Sequence, residues 1–138
     1  MVTALACLAM AVYFEARGEP LVGRVAVAHV ILNRKHDVRF PNTVCDVVKQ
    51  GRMNDPSMRV SLNECQFSFY CDRKPENPTD MAAYASAIGV ANLVLNAALY
   101  DPTEGSTHYH SSSVKPVWST SMTRVVTIDN HIFYRWEK

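Results

Sequence analysis

The sequence contains little glycine and no excess of either charge. Its 138 residues include five glycines, which are scattered along the chain and form no glycine-rich phosphate-binding loop. The 14 basic and 13 acidic residues leave a formal net charge of +1, so no broad electrostatic attraction draws the chain to nucleic acid or to an anionic membrane. We therefore expect no nucleic-acid partner, and we expect a substrate to be recognised by local shape and hydrogen bonds.

The sequence also has no long uninterrupted hydrophobic span. The N-terminal segment "MVTALACLAMAVYF" lacks a basic region before it and continues without a break into "EARGE", which is not the pattern of a cleaved signal peptide. It is too short and too interrupted for a membrane helix, so we expect no stable membrane insertion. We interpret it as a core helix, in a trimmed domain or in a protein exported by another route.

The four cysteines form no CxxC pair, and no HExxH motif is present. Cys7 lies in the apolar N-terminal segment and is expected to pack as a small hydrophobic residue. The other three, Cys45, Cys65 and Cys71, allow one disulfide, whose pairing the sequence leaves open. A thiol nucleophile at Cys65 or Cys71 is a weaker alternative, because nothing near them resembles a cysteine-protease signature.

Helical and strand-like patterns occupy different parts of the chain. Ala, Leu and Met dominate the N-terminal segment, whereas "THYHSSS", "TRVVTI" and "HIFYRW" near the C-terminus alternate like strands. No repeat or linker divides the chain, so we predict a single, helix-rich α+β domain over residues 1–138. Thr43 and either Thr79 or Asp80 are expected N-caps. The predicted helices cover residues 3–16, 20–34, 44–50 and 79–99, and a small C-terminal β element follows.

Glu15 ends the apolar segment and is the first candidate for catalysis. Its neighbours Val12, Tyr13, Phe14 and Ala16 supply apolar surface. Such surroundings disfavour the charged carboxylate and raise its pKa, which suits an acid that donates a proton near neutral pH. The alternative is an ordinary exposed glutamate at a helix end.

Glu19, four residues further on, is expected to have a structural role. Gly18 and Pro20 flank it and interrupt a continuous helix through both carboxylates. We predict that Glu19 pairs with Arg17 or Arg24, or caps the second helix.

Two histidines in "HYH", His108 and His110, would share one face of a strand, a spacing found in metal sites. His131, a cysteine or a carboxylate would have to complete such a site. Because no recognised metal motif accompanies them, we expect no metal and no cofactor.

Four blocks of sequence together carry a resemblance to a known family. In order along the chain they are "YFEARGEPLVGRVAVAHVILNR", "FPNTVCDVV", "CQFSFYCD" and "THYHSSSVKPVWSTSMTRVVTIDNHIFYR". They resemble the cell-wall hydrolase family named for the spore-cortex-lytic enzyme SleB, over nearly the whole chain. The resemblance implies a lysozyme-like, goose-type fold, similar to lytic transglycosylases, that acts on peptidoglycan glycan strands.

The resemblance also implies a reaction. Members are similar to enzymes that cleave the β-1,4 bond between N-acetylmuramic acid and N-acetylglucosamine, and the first Glu of the "EARGE" block, the family's catalytic acid, falls on Glu15. The muramic acid 6-hydroxyl would then close on the anomeric carbon to give a 1,6-anhydro product. This route needs no second carboxylate, because the nucleophile belongs to the substrate and is already in position.

Further residues are implied as substrate-binding by the same resemblance. Tyr109 is the preferred candidate for orienting the reacting sugar. This chain has "THYHSSS" where spore-type members carry asparagine-containing, tyrosine-rich sequence. The version with "HYH" is associated with enzymes outside spore formers, including those of Gram-negative bacteria and their phages. The full set of implied binding residues is Gln66, Phe67, Ser68, His108, Tyr109, His110 and Trp118.

Three other functions stay open from the sequence. A hydrolysing muramidase would use the same acid with water as nucleophile, and a peptidoglycan-binding module would keep the fold without the chemistry. A zinc-dependent amidase or peptidase would use His108 and His110. In each case we expect a monomer that acts at the cell wall, in the periplasm or outside the cell, as a bacterial enzyme or a phage endolysin.

Overall fold

A computed structural model describes residues 3–50 and 78–137. The helix-rich α+β fold with a small C-terminal β element, predicted from the sequence, is confirmed. The extension of one domain over all 138 residues stays a prediction. In the described residues the chain forms helices α1 (Ala4–Ala16), α2 (Leu21–Lys35), α3 (Val44–Val48) and α4 (Met81–Leu95), strands β1 (His108–Ser111), β2 (Thr123–Ile128) and β3 (His131–Arg135), and a 3-10 helix (Val117–Ser121) between β1 and β2.

Short polar side chains begin three of these helices by accepting hydrogen bonds from otherwise unpaired backbone N–H groups. The predicted caps Thr43 and Asp80 are confirmed, and Thr79 is not the cap of α4. α2 instead follows Pro20, whose fixed φ suits the start of a helix. The capping bonds run from Ala6 N–H to Thr3 Oγ1, from Asp46 N–H to Thr43 Oγ1 and from Ala83 N–H to Asp80 Oδ1, each at 3.1 Å.

α4 is shorter than predicted, because it ends at Leu95 rather than near residue 99. Ala97 takes a left-handed φ of 56°, which stops the helix although its side chain favours one. The N–H of Ala98 then turns back to the carbonyl of Leu93 at 2.9 Å, and the N–H of Ala97 to that of Val94 at 3.1 Å. This pair of bonds is a Schellman motif with alanine in the position that glycine usually occupies.

α1 lies at the centre of the main core, in contact with α2, α3 and α4. Leu8, Ala9, Ala11 and Val12 are fully buried, which agrees with a core helix in the apolar N-terminal segment. A smaller core joins α2 to the sheet, and the partly buried ring of Tyr109 packs against both cores. The buried members of this second core are Ala26, Val30, Ile128 and Phe133.

A disulfide joins Cys7 in α1 to Cys45 in α3, with their Cα atoms 5.2 Å apart. Cys7 packs in the main core as expected, but it is also disulfide-bonded, so the expected pairing of Cys45 with Cys65 or Cys71 is wrong. The partners differ because α3 packs directly on α1 and brings together two cysteines 38 residues apart. Cys65 and Cys71 lie outside the described residues.

The sheet is antiparallel with β3 between β1 and β2. Tyr109 pairs with Phe133 and His110 with Ile132, and the register between β2 and β3 shifts between Arg124 and Val126. Because side chains alternate along a strand, His108 and His110 share one face of β1 and Tyr109 occupies the other. Across the described residues, no helix has the length and apolar character needed to cross a membrane.

Candidate active site

The side chain of Glu15 meets that of Tyr109 where the last turn of α1 faces β1. The phenol of Tyr109 donates a hydrogen bond to Glu15 Oε1 at 2.8 Å, across 94 residues of sequence. Glu15 is half-buried at the edge of the apolar core. The phenol therefore binds one oxygen of a carboxyl group that is partly removed from water. The structure thus brings together the predicted acid and the residue predicted to orient the sugar.

The environment of Glu15 changes its acidity in the expected direction. Burial raises the pKa of the Glu15 carboxyl above its ordinary value, and the hydrogen bond from Tyr109 lowers it to a smaller extent. A carboxyl with a raised pKa keeps its proton to a higher pH and can therefore act as a general acid.

Tyr109 remains a donor because its own ionisation is suppressed. Burial raises the pKa of the phenol well above its ordinary value, and the nearby charge of Glu15 raises it further, against an opposing effect of Arg34. The ring packs near Phe133, with centroids 5.6 Å apart, and meets the ring of His131 edge-on at 5.1 Å. The phenol is therefore both protonated and held in one orientation.

Glu19 lies near the same site, with partners that differ from those predicted. Its Oε1 is 3.1 Å from His131 Nδ1, an ion-pair distance without hydrogen-bond geometry, and its Oε2 accepts from Asn130 Nδ2 at 3.2 Å. Arg24 donates to the backbone carbonyl of Glu19, at 3.2 Å, and not to its carboxylate, and Arg17 donates to the phenol oxygen of Tyr13. The predicted pairing with an arginine side chain is therefore wrong.

A glycine explains why the turn between β2 and β3, formed by Asp129 and Asn130, can reach Glu19. A Cβ at Gly23 in α2 would lie 3.1 Å from Glu19 Cβ and 3.2 Å from Asp129 Oδ2. Because glycine has no Cβ, Asp129 and Asn130 can approach the start of α2, and this places His131 beside Glu19. Burial lowers the pKa of His131, against the charges of Glu19 and Asp129, so this imidazole tends to be neutral at neutral pH.

His108, His110 and Trp118 form a separate aromatic cluster on the opposite face of β1. The ring of Trp118 lies 5.2 Å from that of His108 and 5.6 Å from that of His110. Tyr134 Oη lies 2.8 Å from His110 Nε2, and Phe40 and Trp136 each pack 5.9 Å from His108. The structure therefore does not bring these three predicted binding residues together with Glu15.

The histidines of this cluster do not gather with further metal-binding side chains. In residues 3–50 and 78–137, no group of three or more His, Cys, Asp or Glu is placed to hold a metal ion. His108 Nδ1 lies 2.9 Å from Thr107 Oγ1, and burial and then the charges of Arg34 and Arg39 lower its pKa to about 4. His108 is thus neutral near pH 7 and packed among aromatic rings.

Arg34 is a residue that sequence reasoning missed. It lies in the last turn of α2, next to Lys35, yet it is 0% exposed. Its Nε donates to the Thr107 carbonyl, and its guanidinium lies 4.8 Å from the ring centroid of Phe40. Burial lowers its pKa to about 10, which leaves it charged at neutral pH, close enough to influence Tyr109 and His108. A lone arginine in "LNRK" carries no signal of this burial.

Three further binding residues predicted from the sequence, Gln66, Phe67 and Ser68, lie outside the described residues. Their role stays a prediction.

Two solved structures resemble the chain over almost its whole length. The catalytic domain of the germination-specific lytic transglycosylase SleB from Bacillus anthracis matches with a TM-score of 0.62 and 30% identity, covering 96% of this chain and 93% of that one. The catalytic domain of the Bacillus cereus SleB protein matches with a TM-score of 0.57 and 30% identity, covering 98% and 93%.

Sequence comparison points to the same family. A spore cortex-lytic enzyme from Halalkalibacterium halodurans is 32% identical over 127 residues, which are 91% of this chain and 33% of that protein, so the chain spans about a third of this relative. The family model described as Cell Wall Hydrolase matches residues 18–134, a range that begins three residues after Glu15. The chain therefore belongs to the cell wall hydrolase family, and its fold is that of SleB catalytic domains.

Proposed function

We propose that the chain is a peptidoglycan lytic transglycosylase with Glu15 as its single catalytic carboxyl group. The observation that carries the proposal is the half-buried Glu15 carboxyl, with its raised pKa and its hydrogen bond from a protonated Tyr109. The similarity to a catalytic domain described as a lytic transglycosylase supports the reaction type. The substrate bond is the β-1,4 linkage from N-acetylmuramic acid to N-acetylglucosamine.

The first step is proton donation from Glu15. Its protonated carboxyl transfers the proton to the glycosidic oxygen as that bond breaks and an oxocarbenium-like transition state develops on muramic acid. The second oxygen of the carboxyl remains bound to Tyr109, so the negative charge that forms on Glu15 is stabilised by a donor already in place.

The second step uses the same group as a base. The Glu15 carboxylate removes the proton of the muramic acid 6-hydroxyl, whose oxygen closes on the anomeric carbon to form the 1,6-anhydro sugar. The carboxyl is protonated again, and no water is consumed. A second carboxylate is not needed, which agrees with Glu19 being engaged by His131 and Asn130.

Several finer features belong to the proposal. Gln66, Phe67 and Ser68 are proposed to contact the glycan strand. The cluster of His108, His110 and Trp118 is proposed to contact it away from the reacting bond. We propose a monomeric domain that acts at the wall, in the periplasm or outside the cell. The Cys7–Cys45 disulfide supports this location, because disulfides persist mainly in oxidising compartments.

The test is mass spectrometry of the fragments released from purified peptidoglycan. We expect 1,6-anhydro muropeptides from the wild type and a loss of about 10²–10⁴-fold in Glu15→Gln, the usual contribution of a general acid. Glu137→Gln is the matched control, because Glu137 is exposed and pairs only with Arg135 among the described residues.

Each other outcome points to a different function. Products with a free reducing end are heavier by one water and would make the chain a hydrolysing muramidase. Cleavage that persists in Glu15→Gln would remove Glu15 as the acid. Binding to peptidoglycan without fragments from either protein would indicate a wall-binding module.

A further inference from the structure

A second concave site lies between the end of α1, the start of α2 and α4. It is a pocket of about 210 Å³ that none of the catalytic steps uses. Its apolar side consists of aliphatic residues and one tyrosine ring, and its polar side carries two arginines. The lining residues are Val12, Tyr13, Arg17, Glu19, Arg24, Ala83, Ser86 and Ala87.

Each of the two guanidinium groups is fixed by hydrogen bonds from some of its nitrogen atoms and keeps other N–H groups unpaired among the described residues. Arg17 Nη1 donates to the phenol oxygen of Tyr13, and its guanidinium lies 4.8 Å from the centroid of that ring. Arg24 donates through Nε to the Glu19 carbonyl and through Nη1 to Ser86 Oγ. Within the described residues, the Nη2 groups of Arg17 and Arg24 have no partner. A held guanidinium with free N–H groups is well suited to a carboxylate.

The one acidic residue of the pocket leaves its charge balance positive. Glu19 Oε2 accepts a hydrogen bond from Asn130 Nδ2, and Glu19 Oε1 lies 3.1 Å from His131 Nδ1. Two arginine charges against one glutamate charge leave the lining at +1. The pocket therefore favours an anion.

The pocket is close to the candidate acid. Glu19 lines it and follows Glu15 by four residues, so their Cα atoms are at most about 14 Å apart. The two are also joined through space, because Tyr109 contacts both Glu15 and the ring of His131, which lies beside Glu19. A ligand group in the pocket can thus belong to the same substrate molecule whose sugar lies at Glu15.

We propose that this pocket binds a carboxylate of the peptide stem that peptidoglycan carries on muramic acid, so that the enzyme prefers stem-bearing strands. The inference rests on the proposed function, because it assumes muramic acid at Glu15. The stem carries free carboxylates, and three of its residues reach about 10 Å from the sugar, which suits the distance available. Arg17 and Arg24 hold the carboxylate and Ser86 supplies a further hydroxyl.

The test compares kcat/KM on intact, stem-bearing glycan strands with that on strands whose stems an amidase has removed. For Arg17→Gln/Arg24→Gln we expect about a fivefold loss on stem-bearing strands and none on stem-free strands, as for partly exposed ion pairs. Arg17→Lys/Arg24→Lys keeps the charge and should recover part of the loss. Arg124→Gln is the matched control, since Arg124 is exposed on β2 and its side chain donates a hydrogen bond only to Thr127 among the described residues.

Two results would overturn the proposal. An equal loss on both substrates would show that the arginines only maintain the structure, and no loss on either would show that the pocket does not contact the stem.

A binding measurement separates this proposal from the transglycosylase reaction itself. The side-chain Nε–H signals of Arg17 and Arg24 should shift in NMR spectra when a soluble stem tripeptide is added, and the Arg124 signal should not. This result would support the pocket even if no glycan product formed. Shifts of the same size with acetate alone would reject recognition of the stem.

Discussion

At the scale of single residues, Glu15 and Tyr109 are two weak acids that share one hydrogen bond. Burial raises the pKa of both, and the charge on Glu15 further favours a protonated phenol. The phenol therefore keeps its proton and donates it in the hydrogen bond to Glu15, and this bond stabilises the ionised form of Glu15. In the proposed mechanism Glu15 acts first as acid and then as base, so both forms must be accessible near the working pH. Burial and the phenol act on its pKa in opposite directions.

Tyr109→Phe removes the donor and keeps the ring. The hydrogen bond lowers the pKa of Glu15, so its loss should raise that pKa further. Glu15 donates only while protonated, so activity falls as the pH rises through its pKa. We expect this falling limb of the kcat/KM profile to move to higher pH. We also expect kcat to drop by about tenfold, because the negative charge that develops on Glu15 loses a hydrogen bond.

The matched control for this change is Tyr100→Phe, because Tyr100 is 82% exposed. Its pH profile and kcat should equal those of the wild type. A limb that stays in place or moves to lower pH in Tyr109→Phe would mean that the phenol does not act on Glu15.

At the scale of elements, the site depends on how closely the β2–β3 turn approaches the start of α2. Gly23 permits that approach, and Glu19, Asn130 and His131 then connect the two elements. The edge of His131 meets the ring of Tyr109, so the turn also limits where that ring can lie. The position of the hydrogen bond between Tyr109 and Glu15 is thus coupled to packing at the start of α2.

Two glycine-to-alanine changes test this coupling. In Gly89→Ala the new Cβ meets nothing within 4 Å, so the gain in helix propensity should raise the free energy of unfolding by about 0.5–1 kcal/mol, without a change in activity. In Gly23→Ala the new Cβ crowds Glu19 and Asp129. We expect no such gain in stability and a fall in kcat of several-fold, because the turn must move.

Urea unfolding and steady-state rates on purified peptidoglycan measure both effects. Equal stability gains with unchanged activity in the two variants would show that the turn tolerates the displacement and does not position Tyr109.

Sequence patterns predicted local backbone features better than the contact partners of individual side chains. The alternation in "HYH" correctly separates Tyr109 from His108 and His110, and the caps at Thr43 and Asp80 follow from short polar side chains before helical segments. The end of α4 was missed, because the backbone there takes a left-handed turn at an alanine. Alanine gives no local signal for such a turn, because its intrinsic propensity favours continuing the helix.

At the scale of the whole molecule, contacts between distant segments decide what the sequence left open. Glu19 meets Asn130 across 111 residues, and Arg34 is buried because Thr107 and Phe40 surround it. Neither environment is encoded near the residue itself. The same is true of the cysteines, since Cys7 and Cys45 become neighbours only when α3 packs on α1.

The Cys7–Cys45 disulfide is expected to stabilise the fold with little effect on catalysis. It closes a loop of 38 residues, which restricts the unfolded chain and corresponds to about 4 kcal/mol in the chain-entropy description. Cys7 precedes Glu15 by eight residues of the same helix, about 12 Å along its axis. Cys7→Ala/Cys45→Ala should therefore lose about 2–4 kcal/mol of unfolding free energy and keep kcat within about twofold at low temperature.

Denaturant unfolding with and without a thiol reductant measures this stabilisation. The reductant should lower the stability of the wild type towards that of the double variant, and its effect on the double variant measures any contribution from Cys65 and Cys71. If the double variant is as stable as the oxidised wild type, the bond does not restrict the unfolded chain in the way that loop closure requires. If instead kcat falls in step with stability, α1 depends on the bond to hold Glu15 against Tyr109, and the disulfide serves the active site as well as the fold.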